Sequence, residues 1–315
     1  MTAPQKYPDV EPITVAALLR RRYGLDLVKC PRRLGGGLDN LNLRVATNRG
    51  EFVLRRYDVC GRGRAMQELR LVRALAKKGY PTPDAVPTTK GTSLSSLYGR
   101  PAALFPFVAG TVPPRYDPLL AEQMGRLLAQ LHSITSTLRI ALRGTSELRD
   151  LDKVVEFRNR VRLSDFRRVR AEGSRFLRQH RVRLRTAQGT LPGGAIHHDF
   201  HRFNLLRNRA GGAPAVVDFG EACVSPFVFD IARTYFYFAS EARGHQLSES
   251  LQHAFMRGYE SSRRLSREEV DLLPLAFDFV SLGDAARFLT APGCAVDSIE
   301  QCRSWMIYRA NRSDG

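Results

Sequence analysis

Hydrophobic and polar positions along the chain set out its elements before any other feature is considered. Thr14 to Tyr23 reads as a short helix, with Thr14 offering an N-cap hydroxyl and Gly24 a stop. Apolar and polar residues then alternate through Leu41-Asn42-Leu43-Arg44-Val45 and again through Phe52-Val53-Leu54. Asn48-Arg49-Gly50 lies between them as a turn, so this stretch predicts a hairpin. From Arg64 to Lys78 the apolar positions Met66, Leu69, Val72, Leu75 and Ala76 keep helical spacing, and Gly79 with Pro81 and Pro83 ends the run. Ala102 to Val108 predicts a buried strand, and the Pro-rich stretch Thr111 to Pro118 a linker. Asp117-Pro118 then opens a helix whose apolar stripe is Leu120, Met124, Leu127, Leu128 and Leu131. The order is therefore a strand-rich first part with one long helix, then a larger helical part, with no internal repeat.

Composition narrows the class. The chain has 315 residues and is 43% hydrophobic, enough to bury a core. No run approaches the roughly 18 consecutive apolar residues of a spanning helix, and Met1 to Val15 lacks a signal peptide's apolar segment, so a cytoplasmic protein without membrane attachment is expected. The five cysteines (30, 60, 223, 294 and 302) are widely spaced and form no C-x-x-C pair. Reduced, mostly buried thiols are the expectation rather than a disulfide scaffold or a zinc ribbon.

Charge is the loudest compositional feature: 49 Lys+Arg stand against 31 Asp+Glu, a net of +18. It invites a nucleic-acid reading. Two facts weigh against that partner. Only six of the basic residues are lysine, an arginine skew that coding bias can produce, and the excess lies in residues 1–220 (+21) while 221–315 carry −3. Arg139 to Arg185 is the most basic stretch, yet Leu163, Phe166, Val169, Phe176 and Leu177 fall at helical spacing, so a solvated helix face is the reading.

Candidate chemistry concentrates in two neighbouring segments, Ile196-His197-His198-Asp199-Phe200-His201-Arg202-Phe203-Asn204 and Val216-Val217-Asp218-Phe219-Gly220. Arg209 to Ala213 between them predicts a turn. Pairing centred on Gly211 sets Asn204 opposite Asp218, with Cβ atoms about 4.5–5.5 Å apart. One amide oxygen and one carboxylate suit a hard cation, Mg²⁺ best, with water and phosphate oxygens completing its shell. Asp199, five residues before Asn204, would face the same ion from slightly further away, where a hydroxyl nucleophile needs a proton acceptor. H-x-D-x-x-x-x-N followed by D-F-G thus supplies a base and two metal ligands for phosphoryl transfer, a reaction that asks mainly for positioning and charge neutralisation. His197, His198 and His201 admit a second reading as a transition-metal cluster, but the other four histidines have no motif around them, and His197 and His201 are expected to hold the loop by hydrogen bonds.

With these residues quoted, the chain resembles the aminoglycoside phosphotransferase and type II homoserine kinase group. The resemblance extends to Gly35-Gly36-Gly37-Leu38-Asp39-Asn40, to Phe52-Val53-Leu54-Arg55 with Glu68, to Arg100 through Gly110, to Leu127 through His132 and to Asp230-Ile231-Ala232, spanning about residues 33 to 238. It implies an α+β, protein-kinase-like bilobal fold: a small antiparallel-sheet N-lobe with one long helix over residues 1–108, and a larger, mainly helical C-lobe over 109–315. It also implies an ATP-dependent enzyme. Asp199 would be the catalytic base, and Asn204 and Asp218 the Mg²⁺ ligands. Gly35, Gly36, Gly37 and Asn40 would form the phosphate loop, Arg55 would contact the phosphates and pair with Glu68, and Phe105 and Phe107 would lie at the hinge that holds adenine. Asp230 would buttress the loops. Three departures are visible: Arg55 stands where protein kinases have lysine, His198 where a small residue is usual, and the glycine run lacks G-x-G-x-x-G spacing.

The acceptor implied is a hydroxyl of a small, amine-bearing molecule, with three classes open: an aminoglycoside or other antibiotic, an amino alcohol, or homoserine. Gly99 to Leu104 looks more like the homoserine kinase branch and His201 more like the antibiotic kinase branch. The competing function classes are a basic nucleic-acid-binding protein and a catalytically silent kinase-like regulator; the intact Asp199, Asn204 and Asp218 set argues against the latter. The sequence assigns no oligomeric state.

Overall fold

The computed structural model describes residues 10–35, 40–140, 142, 163–207, 213–290 and 298–312. Contacts divide the chain into two compact units, residues up to Val112 with Phe203–Gly220, and Pro113–Arg202 with the rest from Glu221 on. The hairpin carrying the D-F-G sequence therefore groups with the first unit, whereas the sequence reading assigned everything beyond residue 108 to the second lobe.

In the first unit α1 (Pro12–Tyr23) is followed by β1 (Arg32–Arg33), β2 (Asn40–Thr47), β3 (Gly50–Tyr57), α2 (Arg62–Lys77), β4 (Ser95–Leu97) and β5 (Arg100–Pro106). The strands form one antiparallel sheet in the order β1-β2-β3-β5-β4. Alternation along each strand sorts side chains to two faces. Leu41, Leu43, Val45, Leu54, Ala102 and Leu104 bury against Val15, Leu19 and Tyr23 of α1. Tyr57, Ala103 and Phe105 bury on the opposite face with Ala65 and Leu69 of α2. Because Arg55 is two residues from Tyr57, it shares the α2 face.

Local signals mostly hold, with corrections at the ends. Glu11, not Thr14, caps α1; Pro12 occupies the first turn, and the Thr14 hydroxyl donates to Glu11 Oε2 at 3.4 Å. Gly24 does stop the helix, in the left-handed conformation at φ 64°. The strand expected through Val108 ends at Pro106. Thr111, expected in a linker, instead exchanges both backbone hydrogen bonds with Arg207 at 3.0 Å each.

The second unit begins with α3 (Pro118–Thr135), whose predicted stripe Leu120, Met124, Leu127, Leu128 and Leu131 is buried. Asp117 caps it, its Oδ1 accepting from Leu120 N at 2.7 Å. α4 (Leu163–Thr190) overlaps the Arg-rich stretch, burying Val169, Phe176, Leu177, Leu184 and Ala187 while Arg167, Arg168, Arg170, Arg178, Arg183 and Arg185 stay exposed. β6 (Gly193–Ile196) precedes the polar loop. One 3₁₀ turn (Arg202–Asn204) follows, and β7 (Leu205–Leu206) and β8 (Ala215–Val216) belong to the first unit. β9 (Cys223–Pro226) pairs with β6, and α5 (Phe227–Glu241), α6 (Glu249–Glu260), α7 (Arg267–Thr290) and α8 (Arg303–Asn311) complete the second.

Among the described residues Cys30, Cys60, Cys223 and Cys302 form no disulfide; the latter two are buried, Cys60 is half-buried and Cys30 is exposed. No helix of the described residues is long and apolar enough to cross a membrane.

Candidate active site

The first unit assembles a charged cluster around Arg55. The side chain leaves β3 beneath α2 and is buried, as is Glu68 on α2. Arg55 NH1 donates to Glu68 Oε1 at 3.2 Å, and NH2 donates to Asp218 Oδ1. One guanidinium thus bridges two carboxylates 163 residues and 13 residues away in sequence, a task suited to a planar fork rather than a point charge. Burial pushes Glu68 up to about 7, with Arg55 opposing that shift and Asp218 adding to it. Arg64, on the same helix, donates to the Gly220 carbonyl at 2.7 and 3.2 Å, fixing the end of the D-F-G segment. Phe219 is buried edge-on to Tyr80.

Asn204 and Asp218 flank the β7–β8 pair, but not in the expected register. Leu205 pairs with Val216 and Leu206 with Ala215, so Val217, not Asp218, comes opposite Asn204, and Val217 N donates to the Asn204 carbonyl at 3.0 Å. A slip of one residue reverses side-chain faces in a strand. Here Asp218 leaves the strand conformation altogether, at φ 66°, so its side-chain direction is set by the backbone turn and by Arg55 rather than by the ladder. Residues 208–212, which include most of the predicted turn, lie outside the described residues. Asn204 and Asp218 offer only oxygen donors, the chemistry a hard cation takes. Among the described residues no group of three His, Cys, Asp or Glu side chains could hold a metal ion, so His197, His198 and His201 do not form the transition-metal cluster considered from sequence.

Other residues expected at the nucleotide have local tasks in the first unit. Asn40 Oδ1 accepts from Asp58 N at 3.4 Å across the β2–β3 edge. Gly35 lies two residues beyond the end of β1, and a Cβ there would meet nothing within 4 Å. Gly36 and Gly37 lie outside the described residues. Phe105 is in the core beneath α2, and the Phe107 ring carries the Arg44 guanidinium 4.1 Å from its centroid.

The second unit holds Asp199. His197 N and His198 N donate to the two oxygens of Asp230 at 2.8 Å each, and His198 sits at φ 64° to make that turn. Asp230 is completely buried and remains an anion, because burial, which would raise its pKa, is outweighed by His132 and the histidine amides. Burial keeps His132 neutral, so its Nε2–H donates to Asp230 at 3.1 Å while Nδ1 accepts from Tyr259 O–H at 2.7 Å. Arg263 donates to the Tyr259 oxygen at 2.9 Å and pairs with Glu269 at 2.7 Å. A continuous buried polar chain from α7 to the loop therefore fixes the backbone on which Asp199 stands.

Asp199 itself is engaged on both oxygens. Tyr237 O–H donates to Oδ1, and His201 Nε2 lies 3.3 Å from Oδ2. Asp199 N donates to His197 Nδ1 at 3.3 Å, as the loop-holding role of that histidine requires. Burial would raise the carboxyl's pKa, but His201, Tyr237 and His197 hold it far below the usual carboxylate range. Arg202 closes the loop, donating to Glu241 at 2.8 Å and to the Pro113 carbonyl at 2.8 Å. The sequence reading missed Arg64 and Tyr237. For Tyr237 a signal existed: Asp230, Tyr237 and Glu241 fall seven and four residues apart, on one helical face.

Residues 31–265 match the phosphotransferase enzyme family. A homoserine kinase of Polaromonas naphthalenivorans is 28% identical over 262 residues, covering 82% of this chain and 81% of its own. One from Sinorhizobium medicae is 29% identical over 293 residues, covering 87% and 85%. Among solved structures, an amicoumacin kinase in complex with AMP-PNP and Ca²⁺ superposes with a TM-score of 0.74 at 14% identity, covering 96% of this chain and 92% of its own. A microcompartment-associated aminopropanol kinase gives 0.71 at 17%, covering 95% of each chain. This fold is the protein-kinase-like one the sequence implies.

Proposed function

Because the chain belongs to the phosphotransferase enzyme family, we propose that it phosphorylates the hydroxyl of homoserine or a closely related small amino alcohol, in the cytoplasm and with Mg²⁺ as its cation. It is an ATP-dependent small-molecule kinase with an alcohol acceptor. One observation carries the assignment of roles: Asp199 is held as an anion by donors on both oxygens, while Arg55 ties Glu68 to the Asp218 of D-F-G. The homoserine kinases that match over more than four-fifths of this chain support the acceptor class.

In this reading Asp199 accepts the acceptor's proton as the alcohol oxygen bonds to the γ-phosphorus and the bond to the β-phosphate oxygen breaks, releasing ADP. A carboxylate held so far below the usual range acts chiefly by orienting the hydroxyl and takes the proton late, in keeping with a loose transition state. Asn204 and Asp218 would hold the cation, which when bound supplies charge neutralisation across the phosphate oxygens. Arg55 keeps Asp218 and Glu68 in place and adds a positive charge toward the phosphates. The Asp230–His132–Tyr259 chain keeps the Asp199 backbone from shifting.

The test is ADP release with Mg·ATP against homoserine, choline-like alcohols, aminoglycosides and other hydroxylated antibiotics, run beside Asp199→Asn. Homoserine should turn over, and the variant should lose about 10²–10⁴-fold in kcat while still binding nucleotide. Equal activity in the variant would refute the role of Asp199. Turnover confined to another acceptor would move the chain to a different branch of the family.

A further inference from the structure

Helix α5 runs alongside the loop that carries Asp199 and reads it residue by residue. Asp230 takes the amides of His197 and His198, Tyr237 two turns later takes the Asp199 carboxylate, and Glu241 one turn beyond takes Arg202. The first and last contacts fix the loop's two ends. The middle one differs in kind, because it falls on the reacting group itself.

We propose that Tyr237 is a positioning residue for phosphoryl transfer: its phenol occupies one lone pair of Asp199 Oδ1, and with His201 on Oδ2 it fixes which lone pair meets the acceptor hydroxyl. This rests on the reading of Asp199 as the proton acceptor. A carboxylate oxygen has two lone pairs, so the phenol and the alcohol can share Oδ1. Without the phenol, the carboxylate could rotate about χ2 and present either oxygen.

The chemistry of the phenol excludes other roles for it in the ordinary cycle. Burial, with the Asp199 charge assisting and Arg233 opposing, pushes the Tyr237 pKa well above 10, so it stays a donor and cannot take the proton. Its ring is independently seated, with His201 edge-on at 4.7 Å and Phe236 at 5.6 Å, so the ring stays where the hydroxyl is removed. The ionisable groups around Asp199 are His197, His201 and Arg202 on its own loop, Tyr237 from α5 and Tyr116 from the segment before α3. Of these, Tyr237 donates to Asp199 from outside the loop.

The experiment compares the wild-type chain, Tyr237→Phe, and the chain with 3-fluorotyrosine at 237, a stronger donor of nearly the same shape. With the acceptor that turns over, Tyr237→Phe should lose about ten-fold or more in kcat with the KM for ATP unchanged. The acid limb of its pH–rate profile should rise by about one pH unit, the change expected when a charged acceptor loses one hydrogen bond. Fluorotyrosine should move the limb the other way. An unchanged limb and kcat in both, or a change only in the KM for ATP, would overturn the proposal. So would phosphotyrosine at 237 by peptide mass spectrometry after incubation with Mg·ATP, since the phenol would then be an acceptor. A ¹³C NMR titration of the Asp199 carboxyl carbon separates this inference from the kinase reading: if no acceptor turns over, an upward shift in Tyr237→Phe still upholds the contact, and no shift refutes it.

Discussion

Arg55 brings one positive charge to two carboxylates, of which Glu68 is the more deeply buried. Its pKa is about 7 in the fold against 4.5 for the free side chain, because burial disfavours the charge more than Arg55 favours it. A folded-state pKa above the unfolded one means that the native protein binds the proton more tightly. The resulting stability is fully present below pH 4.5 and is lost as pH rises through 7, amounting to about 3 kcal/mol for this group. Urea denaturation of wild type and Glu68→Gln at pH 5 and pH 8 isolates it: the wild-type chain should lose about 3 kcal/mol more than the variant between the two, and parallel losses would show that Glu68 is ionised throughout. This coupling was half legible in the sequence. The family resemblance implies the Arg55–Glu68 ion pair, but the reach of Arg55 to Asp218, and of Tyr237 to Asp199, joins residues with no periodic relation. Only the folded backbone brings such groups to hydrogen-bonding distance.

At the level of elements, α3 and α6 pack closely enough that a glycine on each faces the backbone of the other helix. A Cβ at Gly258 would lie 2.0 Å from the Glu122 carbonyl oxygen, and one at Gly125 would lie 2.0 Å from that of Phe255. Both contacts are with backbone, so relief requires the helices to separate. Gly258 precedes Tyr259, and α3 carries His132; separation therefore pulls apart the 2.7 Å Tyr259–His132 bond that supports Asp230. Gly258→Ala should destabilise the chain by about 3 kcal/mol, the upper range for overpacking, although alanine is the better helix former by about 1 kcal/mol. A midpoint in thermal or urea unfolding at or above wild type would contradict the close approach. Elements of this kind separate what a sequence can reveal from what it cannot. The α3 stripe and its Asp117 cap are written in local spacing and were read correctly. The α1 cap was misplaced by three residues because Thr14 and Glu11 both offer side-chain oxygens there, while Pro12 decides in favour of the earlier start. The β7–β8 register was misread by one residue because the residues between the strands permit either pairing, and the positive φ of Asp218 has no signature in an aspartate.

For the whole molecule the question is whether a net charge of +18 is a binding surface or an incidental field. Some of the arginines are paired inside the protein. Arg55, Arg56, Arg202, Arg233 and Arg263 pair with acids at side-chain exposures of 14% or less, and pairs such as Arg44–Glu51 and Arg126–Glu122 neutralise others at the surface. The exposed arginines of α4 are the clearest remaining candidates. Strand-independent nucleic-acid binding combines such a charge row with aromatic rings on which bases stack. α4 supplies no such platform: over its residues with described side chains its one aromatic besides His180 is Phe176, and that ring is buried against Phe279. What remains is a sequence-independent electrostatic attraction, which in general gives dissociation constants of about 10⁻⁴–10⁻⁶ M at physiological salt and weakens steeply as salt rises. Fluorescence anisotropy with a labelled 20-base-pair duplex should therefore show binding at about 0.05 M salt that falls away to micromolar or weaker by about 0.15 M. A submicromolar constant that persists at the higher salt, and that is lost when Arg167, Arg168 and Arg170 are changed to Gln, would make α4 a second functional surface. The expected outcome leaves the arginines as solubilising charge around an enzyme whose proposed chemistry rests on local fields: the anionic Asp199 in one unit and the Arg55 cluster in the other.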